Sequence, residues 1–199
     1  MQPPFVHNLL LLSVLLVSFL IWIVIEAIVE IRQRKRFRAG AQRQDKGSLV
    51  VVAGTVGLGT ALCALLAFTV PATAITSARA FLFWLGTLLV YAGIAFRLYA
   101  INVLGASFTS TVAITPDQPL IEAGPYRLIR HPAYTGVLIT LLGFGLCYTN
   151  WLSLLVIVGC ALIGFSYRIR VEEHVLQEHL GQRYQEYMRR TKRLIPFVL

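Results

Sequence analysis

Charged residues are scarce in this chain of 199 residues. They account for 14% of the sequence, whereas hydrophobic residues account for 57%. A soluble domain carries about 25% charged residues, so this composition argues against an ordinary soluble fold. The apolar residues stand in long runs, which indicates a polytopic all-α membrane protein forming a single structural domain.

Acidic residues are rarer than basic ones: nine Asp and Glu stand against 18 Lys and Arg, for a net charge of +9. Such a charge is compatible with nucleic-acid binding, but its distribution is not. Seven basic residues lie between Arg32 and Lys46 and five between Arg183 and Arg193, at the borders of apolar runs. There they set membrane topology and contact anionic headgroups. The predicted partner is therefore the lipid bilayer, with no nucleic acid.

Cysteine is almost absent. Cys63, Cys147 and Cys160 all stand inside apolar runs, and their spacing matches neither a metal site nor a disulfide framework. They are interpreted as small core residues, and no metal is expected. A basic segment before the first apolar run is also lacking, which predicts an uncleaved anchor with its N-terminus outside.

About five transmembrane helices are predicted. Three run from about Phe5 to Ile25, from Ser48 to about Pro71 and from Ala80 to about Leu104. The uncharged stretch from Pro132 to Tyr167 would be ~54 Å long as one helix, so it is predicted to fold as a hairpin of two short helices. "CYTNW", residues 147–151, supplies the turn. An amphipathic helix over 171–190 follows.

The distribution of basic residues predicts on which side of the membrane each loop lies. Segments 32–46 and 105–133 and the C-terminal tail are predicted to be cytoplasmic, because the two opposite connections carry only Arg79. The chain therefore divides into residues 1–104, with three helices and a basic loop, and residues 105–199, with a loop, a hairpin and a final helix. The expected location is the plasma membrane of a prokaryote.

The stretch "GPYRLIRHPAYTG", residues 124–136, interrupts this apolar sequence. Pro125 and Pro132 stiffen it, and Gly124 permits a tight turn. Arg127, Arg130 and His131 supply hydrogen-bond donors. Such a loop suits a polar, partly anionic ligand held at the membrane edge. The alternative is a topology-setting loop whose arginines extend to lipid headgroups.

A second cluster is "YRIRVEEH", residues 167–174. Arg168 and Glu172 are four residues apart and share a helix face, with Glu173 beside them. An acidic pair facing the cationic loop can bind an ammonium group; the alternative is a surface ion pair. Glu26 and Arg97, each near a helix end, are either interfacial anchors or pocket residues.

The combination of "LIEAGPYRLIRHPAYTG" with the later "RVEEHVLQEHLGQRYQEYMRRTKRLIP" resembles the isoprenylcysteine carboxyl methyltransferase family of integral-membrane enzymes, over about residues 95–197. The resemblance implies S-adenosylmethionine as methyl donor and a prenylated cysteine as acceptor. It makes residues 105–199 the catalytic region. The family usually has His where this chain has Gln118.

The resemblance also implies site residues. Those expected to contact the cofactor are Gln118, Pro119, Leu120, Ile121, Tyr126, Arg130, His131, Pro132, Ala133 and Glu172. Glu173 joins Glu172 as a partner for the cofactor's ammonium, while Arg130 and His131 suit its carboxylate. Arg168 is expected to hold the acceptor as the catalytic arginine, with Arg97 the next substrate-binding candidate.

Three alternatives stay open from sequence. A phospholipid amine acceptor would have to lose a proton first, so Glu173 or His131 would have to act as base. A carboxylate acceptor is already ionised, which mildly favours carboxyl methylation. Sterol-reductase-like enzymes have a comparable helical architecture and bind a nicotinamide cofactor. A non-enzymatic membrane scaffold with a basic face is the third alternative.

Overall fold

The computed structural model describes residues 2–36, 42–43, 45–105, 113–114 and 119–195. These residues form helices α1 (Leu9–Arg36), α2 (Ser48–Thr69), α3 (Arg79–Leu104), α4 (Pro132–Cys147), α5 (Trp151–Leu180) and α6 (Gln182–Arg190). Short 3₁₀ turns cover Pro71–Thr73 and Gly124–Arg127. Two-residue strands β1 (Gln42–Arg43) and β2 (Ala113–Ile114) pair antiparallel.

The predicted all-α polytopic architecture is confirmed. Helices α1, α2, α3 and α5 are long and apolar enough to cross a membrane, and α4 is a shorter apolar helix of 16 residues. The hairpin predicted within 132–167 is also present. It turns at Tyr148–Asn150, where Thr149 has φ 48° and the Asn150 side chain caps α5 by accepting from the Ser153 amide.

The second half of that hairpin differs from the prediction. Instead of a short helix followed by a separate amphipathic one, α5 runs unbroken for 30 residues and ends at Gly181, which has φ 55°. No Gly or Pro interrupts residues 165–180, so nothing in the chain stops the helix earlier. At ~45 Å it is longer than the ~30 Å hydrocarbon core. Its charged end therefore forms a rigid extension beyond the apolar half.

Close backbone contacts hold the helices in two pairs. Helix α3 packs along α4, where a Cβ on Gly143 would stand 2.5 Å from the Gly86 carbonyl oxygen. Helix α2 packs along α5, where a Cβ on Gly164 would overlap the Thr55 hydroxyl. Small residues at such positions let helix backbones approach closely in a membrane. A Cβ on Gly136 would similarly meet Arg97, so Arg97 is held against the first half of α4.

The segments predicted to share one side of the membrane do lie at one end of the bundle. β1, from the basic 32–46 segment, pairs with β2, from the 105–133 segment, and Asp45 contacts Arg168 on α5. At the opposite end Ala74 bridges to Asn150, and Arg79 donates to the Gln2 carbonyl. The end that carries the loops also carries nearly all the candidate site residues.

Candidate active site

The proline-rich loop binds the C-terminal tail of the same chain. The Arg130 amide donates to the Lys192 carbonyl (2.7 Å), and the Lys192 amide donates to Leu128 (3.1 Å). The Thr135 hydroxyl donates to the Leu194 carbonyl at 2.7 Å. The rigid loop therefore presents a backbone edge to which residues 191–194 are docked.

Helix α6 is held over the same loop by its two tyrosines. Tyr184 and Tyr187 are buried, and the Tyr187 hydroxyl donates to the Tyr126 carbonyl at 2.7 Å. Burial raises the pKa of Tyr187, so this phenol stays protonated and remains a donor. The exposed pair of Arg190 with Glu122 lies nearby and contributes little by itself.

Glu173 is the centre of a cationic cluster that joins α5, the loop and the tail. Its carboxylate accepts from Arg130 Nε (2.8 Å) and from Arg193 Nη2 (2.8 Å), and His131 Nε2 lies 3.4 Å away. The glutamate is 2% exposed. Arg130 also donates to the carbonyls of Met188 and Thr191. Arg130 and Glu173 therefore form an ion pair with each other.

A second chain of polar contacts runs along α5 toward the apolar half. Glu172 Oε2 accepts from the Tyr134 hydroxyl (2.8 Å), which accepts from Arg168 Nε (2.6 Å). Arg168 Nη1 then donates to Asp45 Oδ1 (2.8 Å) and to the Ser48 hydroxyl (3.0 Å). Arg168 and Asp45 are buried, whereas the Glu172 side chain is 30% exposed. The partly exposed Glu172 carboxylate is therefore the last member of this chain of hydrogen bonds.

Asp45 has the features of a fixed carboxylate. Burial acts to raise its pKa, but hydrogen bonds from the Leu49 amide, Ser48 and Arg168 outweigh burial and lower the pKa below its usual value. The residue therefore stays ionised beside Arg168. It orients the guanidinium from the side of α2.

Arg97 carries a second, partly buried ion pair. Its Nε and Nη2 lie 2.7 Å and 2.8 Å from the two oxygens of Glu26, and Nη1 donates to the Ala133 carbonyl at 3.1 Å. The Nη2 contact is a hydrogen bond, whereas the Nε contact is an ion pair without hydrogen-bond geometry. These contacts tie α1 to α3 and to the start of α4.

These polar groups close one end of a cavity of about 910 Å³ between α1 and α2. Glu26, Glu30, Arg97, Tyr134 and Arg168 all line it at that end. The remaining lining is almost wholly apolar and includes Leu15, Phe19, Trp22, Val56, Phe144 and Ile157. The cavity therefore suits an amphiphile with a long apolar chain and a small charged head.

The structure brings together most of the predicted site residues. Around the loop and α5 it assembles Tyr126, Arg130, His131, Pro132, Ala133, Arg168, Glu172 and Glu173, with Arg97 nearby. Pro119 is exposed and Leu120 and Ile121 are half-buried, in a segment without regular secondary structure. Gln118 lies outside the described residues.

Sequence reasoning missed Asp45, Tyr134 and Arg193. Asp45 is the one acidic residue among the basic residues of 32–46, a contrast that could have identified it. Tyr134 stands inside the "RHPAYTG" stretch already singled out. Arg193 could not be identified from the sequence, because only the fold brings its partner Glu173 close to it.

Comparison with known proteins bears on this site. Residues 84–178 match the model of the isoprenylcysteine carboxyl methyltransferase family. A probable protein-S-isoprenylcysteine O-methyltransferase of Oryza sativa subsp. indica is 34% identical over 120 residues, covering 59% of this chain and 63% of the rice protein. The Saccharomyces cerevisiae protein-S-isoprenylcysteine O-methyltransferase is 37% identical over 116 residues, covering 57% and 48%.

A solved structure agrees with these matches. The eukaryotic intramembrane Ras methyltransferase ICMT shares this fold with a TM-score of 0.58 and 25% identity, over 75% of this chain and 52% of that one. The predicted resemblance is therefore confirmed. This chain spans less than two thirds of the length of these relatives.

Proposed function

From the match of residues 84–178 to the isoprenylcysteine carboxyl methyltransferase family, we propose that this protein is a membrane methyltransferase that uses S-adenosylmethionine to methylate a lipophilic carboxylate. A prenylated cysteine or an analogue is the acceptor class. The observation that carries the proposal is the cavity. Its long apolar lining ends at two arginines beside the Glu172–Tyr134 contact. Residues 105–199 supply most of the catalytic region.

The residues present fit the cofactor. When bound, S-adenosylmethionine supplies an electrophilic methyl group on a positively charged sulfur. Its ammonium suits Glu172, whose carboxylate is partly exposed and has one oxygen already oriented by Tyr134. His131, Tyr126 and the Pro132–Ala133 start of α4 form the neighbouring wall. The segment Pro119–Ile121, with Gln118, is assigned to the same site.

We assign different roles to the two glutamates. Glu173 is buried against Arg130 and Arg193, so we assign Glu173 and Arg130 to holding loop, tail and α5 together. This revises the expectation that both residues meet the cofactor directly. Glu172 remains the contact for the ammonium.

Arg168 is assigned to the acceptor carboxylate. It lies at the polar end of the cavity, one helical turn before Glu172, and Asp45 and Tyr134 fix its guanidinium. A planar guanidinium held in this way can orient a carboxylate by charge-assisted hydrogen bonding. Arg97 stands on the facing wall as a second cationic contact. Catalysis then results from alignment of the acceptor carboxylate with the methyl donor and from exclusion of water from that carboxylate.

A carboxylate acceptor needs no general base. An amine acceptor would need one, and the two candidates, His131 and Glu173, lie 3.4 Å apart in the buried cluster around Arg130. Neither is placed at the polar end of the apolar cavity. Carboxyl methylation is therefore the better-supported chemistry.

Radiolabelled methyl transfer tests the function. Purified protein is incubated with labelled S-adenosylmethionine and either prenylcysteine analogues or lipid extracts. Base-labile label in the prenylcysteine samples is expected. Label that enters only a base-stable lipid product would favour amine methylation, and saturable binding of a nicotinamide cofactor in its place would favour a reductase.

Glu172→Gln is expected to weaken cofactor binding by about 1.5–3 kcal/mol, the usual range for a hydrogen bond to a charged group. The amide keeps the shape but loses the charge that faces the ammonium. Calorimetry with S-adenosylhomocysteine measures the affinity. Glu178→Gln, at an exposed position six residues further along α5, serves as the matched control. An unchanged affinity in folded Glu172→Gln would remove this residue from the cofactor site.

The loop-bearing end of the bundle is proposed to face the cytoplasm, with the N-terminus outside, because the opposite connections carry only Arg79. Single cysteines are introduced by Gln2→Cys, Gln44→Cys and Leu199→Cys after the native cysteines are replaced. An impermeant maleimide added to intact cells should label only the first, and permeabilisation should expose all three. Equal labelling of positions 2 and 44 from outside contradicts this topology.

A further inference from the structure

A single hydroxyl group joins the two halves of the candidate site. The Tyr134 hydroxyl accepts a hydrogen bond from Arg168 Nε at 2.6 Å and donates one to Glu172 Oε2 at 2.8 Å. These directions are forced, because a guanidinium can only donate, an ionised carboxylate can only accept and a phenol has one proton. Arg168 lines the apolar cavity, whereas the Glu172 side chain is 30% exposed and is not part of that lining. The hydroxyl therefore connects the group assigned to the acceptor with the group assigned to the cofactor.

The ring that carries this hydroxyl is held in place by its neighbours. It stacks with the His131 imidazole, with ring centres 5.6 Å apart, and with the Phe165 ring at 5.1 Å. Both of these neighbouring side chains are buried. The backbone of the same turn is held as well, since Arg97 donates to the Ala133 carbonyl at 3.1 Å. Packing of the ring therefore helps to fix the position of the hydroxyl oxygen.

We propose that Tyr134 is a positioning residue that couples the two ligand sites; this inference rests on the function proposed above. Its hydroxyl keeps the arginine that holds the acceptor carboxylate in a fixed place relative to the glutamate that holds the cofactor ammonium. Methyl transfer needs the nucleophile in line with the donor, and a displacement of about 1 Å can cost about 10²-fold in rate. Tyr134 thus contributes to turnover through Arg168 and Glu172.

The same contact makes the two ligands bind cooperatively. An acceptor carboxylate on Arg168 restricts the guanidinium, and the shared hydroxyl passes this restriction to the partly exposed Glu172. A cofactor that binds to the ordered carboxylate loses less conformational entropy, so its affinity rises. Thermodynamic linkage then requires the cofactor to raise the affinity for the acceptor by the same factor.

Calorimetry of S-adenosylhomocysteine with and without a saturating prenylcysteine analogue measures this cooperativity. S-adenosylhomocysteine lacks the positive sulfonium, so direct attraction between sulfonium and acceptor carboxylate does not contribute. In the wild-type protein the analogue should tighten binding by about fivefold or more. Tyr134→Phe keeps the ring but loses both hydrogen bonds, so the factor should fall to about one. Arg168→Lys, which lacks the Nε donor, should lose the cooperativity as well.

Steady-state methyl transfer gives the second measurement. At saturating concentrations of both ligands, Tyr134→Phe should lower kcat by about tenfold or more, while KM for the acceptor rises much less. In the Arg168→Lys background, Tyr134→Phe should have little further effect on kcat, because the two groups act as one unit. A purely structural role would lower the unfolding midpoint without this dependence on Arg168.

Two controls separate coupling from other effects. Tyr91→Phe removes the hydroxyl of another tyrosine, which pairs with Ser18 between α3 and α1 at 3.0 Å. It should change neither cooperativity nor kcat. Asp45→Asn weakens the other contact that orients Arg168. It should lower turnover but retain cooperativity, because both Tyr134 hydrogen bonds remain.

The binding and transfer measurements fail separately. Cooperative binding that is present in the wild-type protein and lost in Tyr134→Phe supports the proposal, even if no acceptor is methylated and the proposed activity fails. Absence of cooperativity in the wild-type protein, or cooperativity that folded Tyr134→Phe retains, overturns it. Methyl transfer by Tyr134→Phe with an unchanged kcat supports the proposed activity and contradicts the role of Tyr134.

Discussion

Arg168→Ala should lower kcat/KM for a prenylcysteine analogue by about 100-fold or more, with much less effect on cofactor affinity. The guanidinium lies at the polar end of the cavity, where it can hold the acceptor carboxylate in line with the methyl donor. Lysine should rescue only partly, because a point charge does not reproduce the planar guanidinium that Asp45 and Tyr134 hold in place. Methyl transfer and calorimetric binding of S-adenosylhomocysteine are measured on the same preparations.

The ion pair with Asp45 complicates this substitution and also provides its control. Removing Arg168 alone leaves a buried carboxylate without this partner, which destabilises the fold. The double variant Arg168→Ala/Asp45→Ala removes both charges. It should recover stability without recovering turnover. Turnover that returns together with stability would show that Arg168 acts only in folding.

Two other results would change the assignment. If cofactor affinity collapses while turnover at saturating cofactor survives, Arg168 belongs to the cofactor site. If neither affinity nor turnover changes in a folded protein, the acceptor is held elsewhere. Arg97, on the opposite wall, is then the next residue to replace.

Glu173→Ala should reduce the free energy of unfolding by about 3–5 kcal/mol, as expected when one partner of a buried charge cluster is removed. Arg130 would lose its carboxylate, and the tail would lose the contact through Arg193. Thermal unfolding can be followed with a thiol-reactive dye, because Cys63 and Cys147 are buried and become reactive only on unfolding. The midpoint should fall markedly.

Glu178→Ala is the matched control, since Glu178 lies on the same helix and is exposed. Its midpoint should stay near the wild-type value. Glu173→Ala and Glu178→Ala with equal midpoints would mean that backbone pairing of residues 128–131 with the tail is sufficient. A stable Glu173→Ala with lost cofactor binding would instead return Glu173 to the cofactor site.

Local signals in the sequence determined the membrane-spanning helices and the hairpin turn. Long apolar runs exclude water-exposed alternatives, and Thr149–Asn150 can turn the chain with little help from distant residues. The boundaries of α3 and α4 follow the prediction closely for this reason. The end of α5 did not follow the prediction. When only membrane thickness is considered, a change from apolar to charged residues is taken for a helix end.

The identity of each charge's partner was decided by the tertiary structure alone. Arg168 pairs with Asp45 across 123 positions in sequence, and Arg97 with Glu26 across 71. Spacing along one helix can show that Arg168 and Glu172 share a face, but it cannot show which distant helix approaches that face. That approach depends on small residues such as Gly164, which let α2 and α5 meet closely enough to bring Asp45 to the arginine.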